Sequence, residues 1–326
     1  MYKIKSNLSE KQIEADVANY FGWISENSPF RLLDIDEQLT GADKIYFDSG
    51  FSFFIQFKKS EGLKPICDIP ASARKNRSKL EDIREFRDVK GLDDDPTLYF
   101  KLRKMAKNAT DFQHNILLKY ANQPSSQAFY VAPLHLDKDE YYKCLFDSTA
   151  FSLSSVHTRF LKSPFTKQNI YYYGDKWISL VKNIPYLKEH VSIVPHEPVT
   201  DYRHFYSYSS TGCDIGWHSP ELLNESPSRL SDLLSYEINK CINENRFINL
   251  SELNNSIYLP EDVKLNLENF GLKENEFPID SIQMKGKLIN EKHKIRMFTL
   301  LTNRKLLSSY KEQIEFENRY LKDKDW

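Results

Sequence analysis

Thr40-Gly41-Ala42-Asp43-Lys44-Ile45-Tyr46-Phe47 and, a few residues on, Phe54-Ile55-Gln56-Phe57-Lys58-Lys59 carry the chemistry of this chain. An aspartate opens one apolar segment and a Gln-x-Lys closes the next. Asp48-Ser49-Gly50 between them reads as a tight hairpin turn. A carboxylate, an amide and an ammonium at one sheet edge can hold a divalent cation beside a phosphate. Phosphodiester hydrolysis needs that cation to neutralise the phosphate and acidify a water, hard oxygen ligands to hold it, and a positive group for the developing charge. Asp43 supplies a carboxylate, Gln56 a neutral carbonyl, and the backbone carbonyl of Phe57 a third oxygen. Lys58 shares a strand face with Gln56 and reaches the attacking water. Glu14, on a preceding helix, restores the negative charge that Gln56 lacks.

The elements that must position these groups follow from the pattern. Ser9-Glu10-Lys11-Gln12 is a capping box, so a helix should run from there to about Phe21, with Ile13, Val17, Tyr20 and Phe21 as its apolar stripe and Glu14 at the stripe's edge. Strands are expected over 31–36, 44–47 and 51–58. In the last, Phe51, Phe53, Ile55 and Phe57 face one side and Phe54, Gln56 and Lys58 the other, so the strand should be buried on both. Leu98, Leu102, Met105, Ala109, Phe112 and Ile116 repeat at helical spacing, predicting one long helix or two joined near Asn108. Gln127–Pro133 is a further strand, stopped by proline. Tyr202–Tyr208 alternates like a strand, 228–245 reads as a helix, and 290–322 as a long amphipathic helix. Residues 170–173 and 177–181 are short aromatic strands or helix pieces, and 260–271 is loop or short helix.

The 326 residues carry a net charge of −1, so local charge must decide whether the partner is a polyanion. Residues 74–107 hold eleven Lys/Arg against seven Asp/Glu, which reads more as a solvated helical face than as a phosphate track. The four cysteines form no CxxC pair, and with no apolar leader or spanning run in view the expectation is a reduced, cytoplasmic protein with no membrane segment. His204, Cys213 and His218, with His196 nearby, follow no zinc spacing. A nucleophile elbow, a phosphate-cradling glycine loop and a dinucleotide fingerprint are absent.

Glu14, Gly41-Ala42-Asp43 and Gln56-Phe57-Lys58, in that order, resemble the core of the PD-(D/E)xK superfamily, the restriction-endonuclease-like nucleases. The likeness covers roughly residues 9–135. It implies an α/β fold with a central mixed sheet flanked by helices, assigned here to a domain of residues 1–165; residues 166–326 match no family pattern and are read as a C-terminal α+β extension of unknown role. It also implies Mg²⁺ or Mn²⁺ held by Asp43, Gln56, the Phe57 carbonyl and Glu14, with Lys58 assisting the nucleophile. Gln113 resembles the substrate-orienting glutamine of RecB-like members, although Leu117 stands where they carry tyrosine, and Lys59 joins it as a substrate-binding residue. Gln56 departs from the usual acid and removes one negative charge; Ala42 replaces the usual proline. The implied activity is metal-dependent DNA endonuclease action, in defence against foreign DNA, with RNA as another substrate the chemistry permits and a homodimer or larger complex as the assembly. The alternative is the same fold without catalysis, binding DNA or a partner protein.

Overall fold

Ser49-Gly-Phe-Ser-Phe-Phe-Ile-Gln-Phe57 is rich in aromatic and β-branched side chains, which favour an extended, sheet-buried backbone. In the structure, a computed structural model, it is a strand buried along its whole length. The structure describes residues 2–24, 30–34, 46–72, 78–92, 96–107, 109–146, 185–218, 221–223, 229–269, 278–309, 311–312 and 315.

Twelve strands are described: β1 (Lys3–Ile4), β2 (Phe30–Asp34), β3 (Ser49–Phe57), β4 (Glu61–Leu63), β5 (Thr97–Lys101), β6 (Ser126–Pro133), β7 (His190–Ile193), β8 (Phe205–Tyr208), β9 (Ile215–Trp217), β10 (Glu221–Leu223), β11 (Ile248–Asn249) and β12 (Arg296–Thr302). The helices that matter below are α1 (Glu10–Ile24), α2 (Lys79–Val89), α3 (Gln113–Ala121), α4 (Leu230–Asn243) and α5 (Pro278–His293). One sheet has the order β2-β12-β3-β6-β7, with β11 beside β3. It is mixed: β6 runs parallel to β3, while β12 is antiparallel to both β2 and β3 and β7 is antiparallel to β6. The other sheet, β1-β4-β5-β8-β9-β10, is antiparallel throughout. The protein is thus α/β, with one mixed and one antiparallel sheet and helices against them.

Alternation along β3 builds two cores. Phe51, Phe53, Ile55 and Phe57 pack with Ile13, Val17 and Phe21 of α1 and Leu234 and Ile238 of α4. Phe54 points the other way and stacks on Tyr120 of α3, ring centroids 3.8 Å apart. The expected burial on both faces is therefore present, and α1 and α4 fall where the pattern put them.

Three expectations need correction. The 44–47 strand and its hairpin are not found: Tyr46 is helical, Ser49 and Gly50 already belong to β3, and residues 44 and 45 lie outside the described residues. Besides the two-residue β11, the antiparallel partner of β3 is β12, whose Thr302↔Ser49 to Arg296↔Ile55 register pairs seven residues and buries Met297, Phe298, Leu300 and Leu301. That pairing also breaks the long helix expected over 290–322. Arg-Met-Phe-Thr-Leu-Leu-Thr is apolar on both faces, which suits a central strand and not an amphipathic helix. Likewise 97–101 is β5, not helix; Leu98, Tyr99 and Phe100 are buried in succession between β4 and β8. The 170–173 and 177–181 segments and the boundary near residue 165 lie outside the described residues, and chain from both sides of that boundary shares both sheets.

Candidate active site

The chain leaves the mixed sheet at the end of β3 and enters the antiparallel sheet at β4, and the Gln56-Phe57-Lys58 step sits at this crossing. The Lys58 N–H donates to the Val131 carbonyl (2.8 Å), which prolongs the parallel ladder one residue beyond β3. Ser60 then donates to the Pro133 carbonyl and shares a hydrogen bond with the Tyr208 hydroxyl (2.6 Å), tying the two sheets together. A cleft of about 1280 Å³ opens here, walled by α1, the end of β3, β5 and the start of β12.

Gln56 and Lys58 form the inner wall, 4% and 6% exposed. Both lie on the α3 face of the sheet, where Gln113 at the start of α3 meets them. The Gln113 amide donates to the Gln56 carbonyl and to the His293 backbone carbonyl, and its own carbonyl faces Lys58 Nζ at 3.5 Å. Gln56 Nε2 donates to the Phe57 carbonyl (2.8 Å). Both amides thus have consistent orientations, each nitrogen meeting an oxygen. Lys58 Nζ stands 5.9 Å from the Tyr130 ring centroid. Burial pulls its pKa from 10.5 down to about 8; Glu10 opposes the shift and Arg103 adds to it. The structure brings Gln113, expected as a substrate-binding residue, into contact with Gln56 and Lys58, two of the four residues expected to be catalytic.

Glu14 comes to the same cleft from the opposite face. Met297 and Leu301 of β12 belong to the α3-side core and Phe298 and Leu300 to the α1-side core, so Arg296 projects toward α1. Its Nε lies 3.0 Å from Glu14 Oε1 and its Nη2 2.7 Å from Asp34 Oδ2 at the end of β2. Glu14 and Arg296 line the cleft together, while Gln56 and Lys58 line it from across the sheet. Asp43 lies outside the described residues. Lys59 is on the rim, its ammonium 3.3 Å from Glu61 and its N–H donating to Glu10.

Of the donors implied for Mg²⁺, the described residues therefore offer one carboxylate and two neutral oxygens, and each already meets a protein cation or N–H: Glu14 faces Arg296, the Gln56 carbonyl takes Gln113, and the Phe57 carbonyl takes Gln56. A hard cation demands more oxygen ligands than this arrangement leaves open. Among the described residues no group of three or more His, Cys, Asp and Glu is placed to hold a metal. The zinc-like quartet does not converge either: His204 lies flat on Trp217 (5.1 Å), His196 meets its edge (5.6 Å), and the Cys213 thiol donates to the Thr211 carbonyl. His114, next to Gln113, is a core group; burial lowers its pKa to about 4, and it hydrogen-bonds the Tyr130 hydroxyl and the Glu197 carbonyl.

The cleft is strongly cationic although the chain is nearly neutral. Nine lysines and arginines line it against three glutamates, Glu10, Glu14 and Glu61, among the described residues. Sequence reasoning missed most of them. Lys101 and Arg103 were within sight, in the segment with four excess positive charges, but reading it as helix put them on a solvated face. Lys294 and Arg296 gave no local signal, because only the β3–β12 pairing brings them to residue 58.

The Glu14–Arg296–Asp34 bridge ties three elements, α1, β12 and β2. Arg296→Gln should lower stability by about 1–3 kcal/mol, since the bridge is partly shielded from solvent and the substitution removes the guanidinium that both carboxylates meet. Urea unfolding compared with wild type checks it; an unchanged midpoint would mean the bridge is solvated and contributes little. Comparison with family models, with curated proteins and with solved structures finds no match for this chain.

Proposed function

We propose that the chain is a nuclease that grips the phosphate backbone of DNA in this cleft and hydrolyses phosphodiester bonds at the end of β3. The observation that carries the reading is the juxtaposition of Gln56, Lys58 and Gln113 on the wall of a cleft lined by nine cations. A row of such cations is the electrostatic footprint of a backbone binder. The order α1, β2, β3, α3, β6, with β4, α2 and β5 inserted between β3 and α3, has the helix, first strand, Lys58-bearing strand, helix and strand of the order that the resemblance implies, while β12 pairs between β2 and β3, where the aspartate-bearing strand was expected. This supports a core of that type. Within the site, Lys58 holds a non-bridging phosphate oxygen, Gln113 fixes the ammonium, and the buried inner wall keeps competing water away. The resemblance brings Mg²⁺ or Mn²⁺ into the proposal; the described donors are engaged as they stand, so Glu14 would join Asp43 in holding the cation only with Arg296 displaced from it. Defence against foreign DNA follows from the same resemblance.

A second reading, binding without cleavage, is favoured by the closed amide network and by the Arg296 guanidinium on Glu14. Plasmid nicking in Mg²⁺, in Mn²⁺ and in EDTA separates the two, alongside fluorescence anisotropy on labelled DNA and RNA. The nuclease reading expects metal-dependent nicking that Lys58→Ala reduces at least about 100-fold, the scale of one lost transition-state cation. Salt-sensitive DNA binding with no nicking in either metal would leave the binding module. Among the described residues no helix is long and apolar enough to cross a membrane.

A further inference from the structure

Three described helices are followed, within two residues of their last helical position, by a residue at positive φ. Gly91 (φ 63°) follows α2, Asn245 (φ 53°) follows α4 and Lys294 (φ 56°) follows α5. Glycine and asparagine are the residues this left-handed geometry favours, because a larger side chain crowds its own backbone. Lysine is the departure. The turn is well formed: the Lys294 N–H donates to the Asn290 carbonyl (2.9 Å), the bond expected when a helix is closed by one left-handed residue. The two helices that end with the favoured residues do so away from the cleft, and the one that ends with lysine does so on its wall. A strained backbone kept at a ligand cleft points to a side chain that is needed there.

Lys294 lines the same cleft as Lys58 and Arg103. Arg103 is close enough to both Lys58 and His293, the residue before Lys294, to act on their charge. We propose that Lys294 is a substrate-positioning residue, held in a left-handed turn so that its ammonium joins Lys58 and Arg103 on one backbone phosphate of bound DNA. The proposal rests on the reading of the cleft as a DNA site and deepens it by naming a contact in the α5–β12 turn.

Strain and contact predict opposite effects of one substitution. Lys294→Gly relieves the backbone and should raise the melting temperature by about 1–3 °C. It removes one phosphate contact, so duplex DNA affinity should fall about 5–10-fold at about 0.1 M salt, and the slope of log affinity against log salt should shrink by about one. Lys294→Ala, which keeps the strain, should lose the same affinity with no gain in melting temperature. Asn245→Gly, a change at a left-handed turn outside the cleft, should leave DNA affinity unchanged. Wild-type-like DNA binding and salt slope in Lys294→Gly overturn the contact. A melting temperature no higher than that of Lys294→Ala overturns the strain on which the assignment stands. If the wild-type chain itself binds no duplex, the DNA reading of the cleft fails and this assignment with it, a result separate from either of the first two.

Discussion

Lys58→Met should make the protein more stable and nearly abolish its action on DNA. Burial holds the Lys58 pKa at about 8, below its ordinary 10.5. At pH 7 the folded state therefore keeps an ammonium it disfavours, at a cost of about 3 kcal/mol from the size of the shift. Methionine fills similar space without the charge. It leaves the Gln113 carbonyl without its ammonium, which offsets about 1–2 kcal/mol, so the net gain should be about 1–2 kcal/mol in urea unfolding at pH 7. The sign of the pH dependence follows. Between about pH 8 and 10.5 the unfolded chain binds more protons at this position than the folded one, so wild-type stability rises with pH across that window. Lys58→Met lacks this component, so its advantage should vanish within the window and turn into a deficit of about 1–2 kcal/mol at its top, where only the lost Gln113 contact remains. DNA binding runs the other way. The phosphate contact needs the charged form, so wild-type affinity should drop about 5–10-fold from pH 7 to 9, while the variant starts low and stays flat. Loss of stability in Lys58→Met at pH 7, or the same pH profile in both proteins, would contradict the assignment of Lys58 as a buried, poorly compensated cation.

How much of this could be read before the fold was known differs from element to element, and the reason is sequence distance. The β3 pattern gave its two faces and the shared side of Gln56 and Lys58, because period-two alternation is local. Ile13, Val17 and Phe21 likewise marked the buried stripe of α1 without any tertiary information. The partner of β3 was not legible, because a turn at Asp48-Ser49-Gly50 explained the same residues locally and nothing in the sequence ranks a strand some 250 residues away above it. Beside β3, where the sequence placed a strand opening with an acid, stands β12, which opens with Arg296; Asp43 itself lies outside the described residues. Periodicity failed for a second reason at 97–101 and 296–302. Both are central strands with apolar residues in succession, and such runs fit a buried helix as well as a strand. Gln113 was found by resemblance. The bond it makes with Gln56 depends on the parallel β3–α3–β6 crossover, which no local pattern encodes.

Gln56→Glu should convert this wall into one that answers to divalent cations. In the wild type the Gln56 amide donates to the Phe57 carbonyl, so two neutral groups satisfy each other. Glutamate keeps the acceptor that Gln113 uses but replaces the donor by a second oxygen, which then faces the Phe57 carbonyl. Two buried acceptors facing each other cost about 1–3 kcal/mol, so in EDTA the variant should melt below wild type. Two oxygens, one charged, beside a backbone carbonyl are also what Mg²⁺ or Mn²⁺ seeks. Millimolar Mg²⁺ should therefore recover most of the lost stability in the variant and change the wild type little. The new carboxylate lies on the same strand face as Lys58 and should raise its pKa, so the DNA affinity of the variant should stay level through pH 8. Calorimetric titration with Mn²⁺ gives the direct reading, with tighter binding expected than in wild type. If melting in EDTA and in Mg²⁺ shifts equally in the two proteins, residue 56 does not face a cation position, and cleavage, if nicking is observed, must draw its metal from Glu14 and residues other than 56.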